Sequence, residues 1–124
     1  MPAIVLRVAG ADFDVDAFLS GHPDLVVDAV WHIGVVGRVG KPPTTSGFNT
    51  CLGDDDDKVV ALDRMRASLQ RLGPAIVTAG AMGATGCVDI GVFLGEAFSR
   101  TIFLNGDDLH RLVELGLVLE FSAY

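Results

Sequence analysis

The stretch from Gly86 to Tyr124 runs through CVDIGVFL, SRTIFLN, NGDDLHRLVELG and LVLEFSAY with almost no spare chain between them. Two β-rich runs, a capped helix and a further β-rich run in this order constrain the fold strongly. They predict a small α+β domain whose helices pack on one face of a mainly antiparallel sheet. Asn105 is the expected N-cap of the helix, with Asp108 three residues later in a capping-box arrangement. Leu109, Leu112 and Val113 form its expected apolar face.

The preceding residues fit the same class. AIVLRVA at residues 3–9 predicts a strand with Ile4, Leu6 and Val8 on one face and Arg7 on the other. Asp12 and Asp14 offer cap oxygens to a short helix, VDAFLS, which Gly21 and Pro23 end. LVVDAVWHI at residues 25–33 reads as a second strand. Its alternation turns Leu25, Val27, Ala29, Trp31 and Ile33 toward the core and Asp28 and His32 away from it. Gly37 to Gly47, GRVGKPPTTSG, is a loop, and a short strand over about 47–52 follows it. The longest helix is expected over 56–72, with Val59, Leu62, Met65, Leu69 and Leu72 as its buried stripe and Gly73-Pro74 as its stop. Residues 75–86, rich in glycine, predict an irregular connection that opens on a short strand. The sum is one domain over residues 1–124, of order β-α-β-β-α-β-β-α-β, ferredoxin-like in character.

A chain of 124 residues buries roughly two thirds of its unfolded surface, so it needs neither disulfides nor a metal to fold. Half the residues are hydrophobic and the mean hydropathy is +0.46. So apolar a chain is expected to leave a patch for a partner, a second copy of itself included. The net charge of −7 and the scattered bases argue against a nucleic-acid partner, because phosphate neutralisation needs a basic stripe. The acid excess lies in the first half. Five aspartates up to Asp28 and then Asp54 to Asp57 stand there against Arg7, Arg38 and Lys41. Such a field steers cationic partners and repels polyanions. Cys51 and Cys87 lie far apart without CxxC spacing, which fits a reduced, cytoplasmic protein. The N-terminus lacks the basic and apolar segments of a signal peptide. No apolar run reaches the length of a membrane span.

The string DDDDK at Asp54–Lys58 matches the site that enteropeptidase-type proteases cut after. It has three physical readings: carboxylates stabilising a helix start, a protein-binding patch, or a divalent-cation site. The last lacks the alternating ligands, turn glycine and distal glutamate of a calcium loop. His22, His32 and His110 show no zinc-ligand spacing. Asp28 and His32, about 13 Å apart along an extended strand, cannot share an ion. His110 can pair with Glu114. GxSxG, GxGxxG and the P-loop pattern are all missing, and Gly80, Gly83 and Gly86 precede a strand rather than a helix, so they make no phosphate cradle. No cofactor, metal site or catalytic set is therefore assigned.

VLRVAGADFDVDAFL, the His22-Pro23 step, Trp31 followed by Gly34, the long helix and the ending ELGLVLEFSAY together resemble the bacterial domain-of-unknown-function family 4279. The likeness spans nearly the whole chain; the single tryptophan, Trp31, departs from the family pattern. It implies a small stand-alone protein similar to the immunity proteins of bacterial toxin systems, and it carries over no catalytic residue. The resulting expectation is a non-enzymatic module that occludes a basic partner such as a toxin. Asp54, Asp55, Asp56 and Asp57 would steer that partner, while Arg38, Lys41, Thr44 and Thr45 of the loop would add shape and hydrogen bonds. Two other readings stay open: a small-molecule-binding or enzymatic domain with the 37–47 loop as lid, and a homodimer without chemistry of its own.

Overall fold

β1 (Ala3–Gly10) is the central strand of the sheet. Its alternation is as strict as the sequence suggests: Ile4, Leu6 and Val8 are 1–2% exposed, and Arg7 points to the other face. The computed structural model describes residues 3–37, 40–92 and 102–123. After β1 come α1 (Val15–Ser20), β2 (Ala29–Trp31), β3 (Ser46–Asp54), α2 (Lys58–Ala81), β4 (Thr85–Val92), α3 (Gly106–Glu114) and β5 (Leu117–Ala123).

The sheet order is β2-β3-β1-β4-β5. All neighbours are antiparallel except β4 and β5, which run parallel through the α3 crossover. The first six elements form two interleaved β-α-β crossings, since β3 lies between β1 and β2 while β1 lies between β3 and β4. Phe18 of α1, the stripe of α2 and Leu112 of α3 share one core with the inward residues of β1, β3 and β4. The helices thus cover a single face of the sheet, and the architecture is α+β with a mostly antiparallel sheet.

The element order differs from the expected one. Among the described residues the sheet has five strands, not six. In the anticipated strand SRTIFLN, residues 99–101 lie outside the described residues, and 102–105 form no strand but lead directly into the Asn105 cap. The second difference is α2, which continues through Pro74 to Ala81. An internal proline costs about 3 kcal/mol. Continuation, however, carries the buried stripe from Leu72 to Ile76 and Ala79 (6% and 1% exposed), and each large apolar side chain buried returns about 1.5–3 kcal/mol. Of the residues expected to form an irregular link with a short strand, 75–81 are therefore the last two turns of this helix, while 82–84 are the link and 85–86 open β4. At its other end Val59 is 59% exposed and Ala61, fully buried, takes the inward place. β2 shrinks to three residues, and Ile33, expected inside, is half exposed.

α2 sits close on β3 because of Gly53. The register of β1 and β3 slips between Ile4 and Val5, leaving Leu52 as an extra residue, so that Leu52 and Gly53 are both buried. A Cβ on Gly53 would stand 2.3 Å from the carbonyl oxygen of Ala61. The bulge and the glycine together let the first turn of α2 settle on the strand.

Candidate functional site

The aspartate run connects β3 to α2, and its four members have separate tasks. The Asp57 Oδ1 accepts from the Val59 and Val60 amides at 2.8 and 3.4 Å, as the N-cap of α2. Asp55 accepts from the Asp57 amide at 2.9 Å through Oδ1 and pairs with Arg64 Nη1 at 3.3 Å through Oδ2. Arg64 also donates to the Asp54 carbonyl at 2.7 Å. The helix-start role is therefore filled by Asp57 and Asp55. Asp54 and Asp56 are exposed, and Asp56 has no ion pair or hydrogen bond among the described residues.

Asp28 joins this acidic end from a distant part of the sequence. β2 pairs only with residues 47–49 of β3. Beyond them the Asp28 carboxylate takes the place of a strand carbonyl and accepts from the Cys51 amide at 2.8 Å. Burial, Asp54 and then Asp28 push the Cys51 thiol above its ordinary range, so it is kept as a thiol rather than a nucleophilic thiolate. Next to it a cleft of about 130 Å³ runs between Thr50, Cys51 and Asp28 on one side and Arg71 and Leu72 of α2 on the other. Asp28 and Asp54 thus both stand close to Cys51, where the Cys51 amide and the Leu52 and Asp54 carbonyls are taken by Asp28, Ser68 and Arg64.

The 37–47 loop lies elsewhere. It leads into the first residue of β3, whereas the aspartates follow the last. β3 has nine residues, which is roughly 26 Å of extended chain. The acidic run and the loop therefore leave opposite ends of the strand. Thr45 Oγ1 accepts from the Trp31 indole at 3.2 Å, and Ser46 Oγ from the Ile33 amide at 2.9 Å. These bonds, with Gly34 N to the Pro43 carbonyl at 3.0 Å, tie the two arms of the loop together. Lys41 and Thr44 are exposed upon it; Arg38 lies outside the described residues. Among the described residues, clefts lie against α2 that no residue of the loop lines.

The helix-free face of the sheet carries a polar network that the sequence reading did not assemble. Arg7 reaches Asp89 and Glu120, both at 3.5 Å. Ser122 Oγ donates to Asp89 at 2.9 Å, and the Cys87 thiol contacts Glu120 at 3.4 Å. Cys87 is half-buried in this network. The available signal was the lone arginine on the polar face of β1. Arg7 bridges two carboxylates and offsets one of them, so the network ties three strands together and keeps one net negative charge.

The histidines are separately engaged. His32 Nε2 lies 3.0 Å from Asp16. His110 pairs with Glu114 at 3.2 Å, and His22 stacks on Phe18 at 4.3 Å. No group of three or more His, Cys, Asp or Glu among the described residues is placed to hold a metal ion. No helix among them is long and apolar enough to cross a membrane. Comparison with known proteins finds no matching family profile, no similar curated protein and no similar solved structure.

Proposed function

We propose that this protein is an interaction module that binds a basic protein through the acidic end of β3, in the manner of an immunity protein occluding a toxin. The observation that carries the reading is the division of labour among the aspartates. Asp55 and Asp57 are consumed by the start of α2 and Asp28 by the Cys51 amide, whereas Asp54 and Asp56 are exposed. Carboxylates beyond what the fold uses suit a segment rich in lysine or arginine. Charge-assisted pairs with such a segment would supply affinity, and the field of the patch would supply on-rate and partner choice. The ferredoxin-like reading of the first six elements and the likeness to family 4279 belong to the same proposal. The loop with Lys41, Thr44 and Thr45 is left out of this surface by its distance.

The test is affinity capture from the source organism, followed by binding of the isolated partner. The D54N/D56N variant keeps Asp55 and Asp57 and so keeps the helix start. The proposal expects a basic partner whose association slows about tenfold or more with this variant, and slows likewise at about 0.5 M salt, where charges are screened within about 4 Å. An association rate unchanged in both arms removes the acidic edge as the binding surface.

A further inference from the structure

The opposite edge of the sheet has a different character. At 100° per residue, α3 presents three flanks. Asp108 and Leu112, 6% and 4% exposed, face the core. Asp107 and Arg111 face α2, with which they share a cleft of about 170 Å³ lined by Met65, Arg66 and Leu69. Leu109 and Val113, 47% and 76% exposed, project from the flank turned away from α2. α2 lies over β3, β1 and β4, while α3 packs on β5, the last strand of the sheet among the described residues. The Leu109–Val113 flank therefore overhangs the outer edge of β5.

β5 continues this apolar strip. Phe121 is in register with the buried Ile90 and so lies on the helix side of the sheet, yet it is 56% exposed. The turn at Leu115–Gly116 makes α3 and β5 antiparallel. Five residues of strand and ten of helix each rise about 15 Å, so Phe121 stands level with the start of α3. Phe103, 76% exposed, stands two residues before the Asn105 cap. Edge strands are ordinarily guarded by lysine, proline or a bulge. LVLEFSA contains none of these, and its one charge, Glu120, is held by Arg7 on the other face.

We propose that the chain forms a homodimer in which β5 pairs antiparallel with β5 of a second copy and the Leu109–Val113 flanks of the two α3 helices meet over the junction. Antiparallel pairing of a strand with itself about a two-fold axis is self-complementary, so the contact closes and does not propagate. Exposed apolar surface of Phe103, Leu109, Val113 and Phe121 amounts to on the order of 400 Å² per copy. Apolar atoms make up about 60% of a typical interface. Two such strips with their polar rim then bury about 1,300 Å², within the range of stable dimers. The acidic end of β3 belongs to the other side of the sheet and stays free in both copies. The dimer does not depend on the proposed function, but it would display the acidic edge twice and so favour a bivalent partner.

Sedimentation of the purified chain at about 1–100 µM is expected to give twice the 13.0 kDa chain mass, falling to the single mass in L109E/V113E with an unchanged circular dichroism spectrum. V35K/V36K, on the opposite edge, is expected to remain dimeric. Hydrogen exchange on the wild-type chain gives an answer that needs no variant: amides of β5 that point away from β4 become more protected as concentration rises. A single chain mass throughout, a folded L109E/V113E that stays dimeric, a dimer lost in V35K/V36K, or β5 protection independent of concentration would overturn the proposal.

Discussion

Arg66 grips Asp108 across the space between α2 and α3, with Nε 2.7 Å from Oδ1 and Nη2 2.9 Å from Oδ2. The same carboxylate accepts from the Asn105 amide at 3.1 Å, while Asn105 Oδ1 accepts from the Asp108 amide at 2.8 Å. One aspartate therefore completes the capping box of α3 and anchors that helix to α2. The Arg66 hydrogen bonds, reinforced by that of Asn105, hold the Asp108 carboxyl below its ordinary range against the opposing effect of burial. Arg66 is correspondingly held above its own range.

Replacing Asp108 by alanine is expected to cost about 2–4 kcal/mol, since it removes the cap and leaves Arg66 without its fork partner. R66M, which leaves the carboxylate half-paired, is expected to cost about 1–3 kcal/mol. The sign with pH follows from the lowered value in the folded state. The stabilisation is complete above the unfolded carboxylate range, near pH 4, and is lost as pH falls through the folded value. Urea melts between about pH 6 and pH 2 should show a steeper acid decline in the wild type than in D108N. Parallel declines would show that Asp108 contributes nothing to acid sensitivity.

Gly53 and Gly80 make a matched pair. Gly53→Ala sets a methyl group 2.3 Å from the Ala61 carbonyl oxygen and is expected to destabilise by about 2 kcal/mol or more. Gly80, in the last turns of α2, has open space where its Cβ would be. Gly80→Ala should stabilise by about 0.5 kcal/mol through helix propensity alone. Thermal or denaturant midpoints moving in opposite directions would check both.

Within the aspartate run, Asp57→Ala is expected to cost about 1 kcal/mol, as loss of an N-cap does. Asp56→Ala should stay within about 0.5 kcal/mol of the wild type. For the same reason the folded chain should resist an enteropeptidase-type protease after Lys58, the first residue of α2, although a free peptide of the same sequence is cut. Equal cleavage rates for the two would mean that the start of α2 opens freely.

The Cys51 thiol reports on the acidic edge. Its raised range predicts slow alkylation at neutral pH in a Cys87→Ala background. Asp54→Asn removes a neighbouring negative charge and should speed the reaction, because more of the thiol is then ionised. Labelling rates measured from about pH 7 to pH 9.5 should shift to lower pH in the variant. An unshifted profile would place Asp54 too far from the thiol to matter.

The sequence by itself determined whatever is written in neighbouring residues. Ile4, Leu6 and Val8 alternate because a strand has period two, and Asn105 with Asp108 marks a helix start because cap and amide lie three residues apart. The α+β class and the sheet's helix-covered face follow from such local signals. Only the tertiary structure decided what depends on residues meeting through space. Pro74 reads locally as a stop, yet α2 passes through it because Ile76 and Ala79 find the sheet beneath them. Arg66 and Asp108 stand 42 positions apart, and nothing in either neighbourhood announces the other. Asp28 and Asp54 meet at Cys51, while the Lys41–Thr45 loop, nearer to Asp54 along the chain than Asp28 is, ends a full strand length away. A strand carries its two ends apart as firmly as it pairs with its neighbour, so closeness in sequence could not show which charges would share a surface.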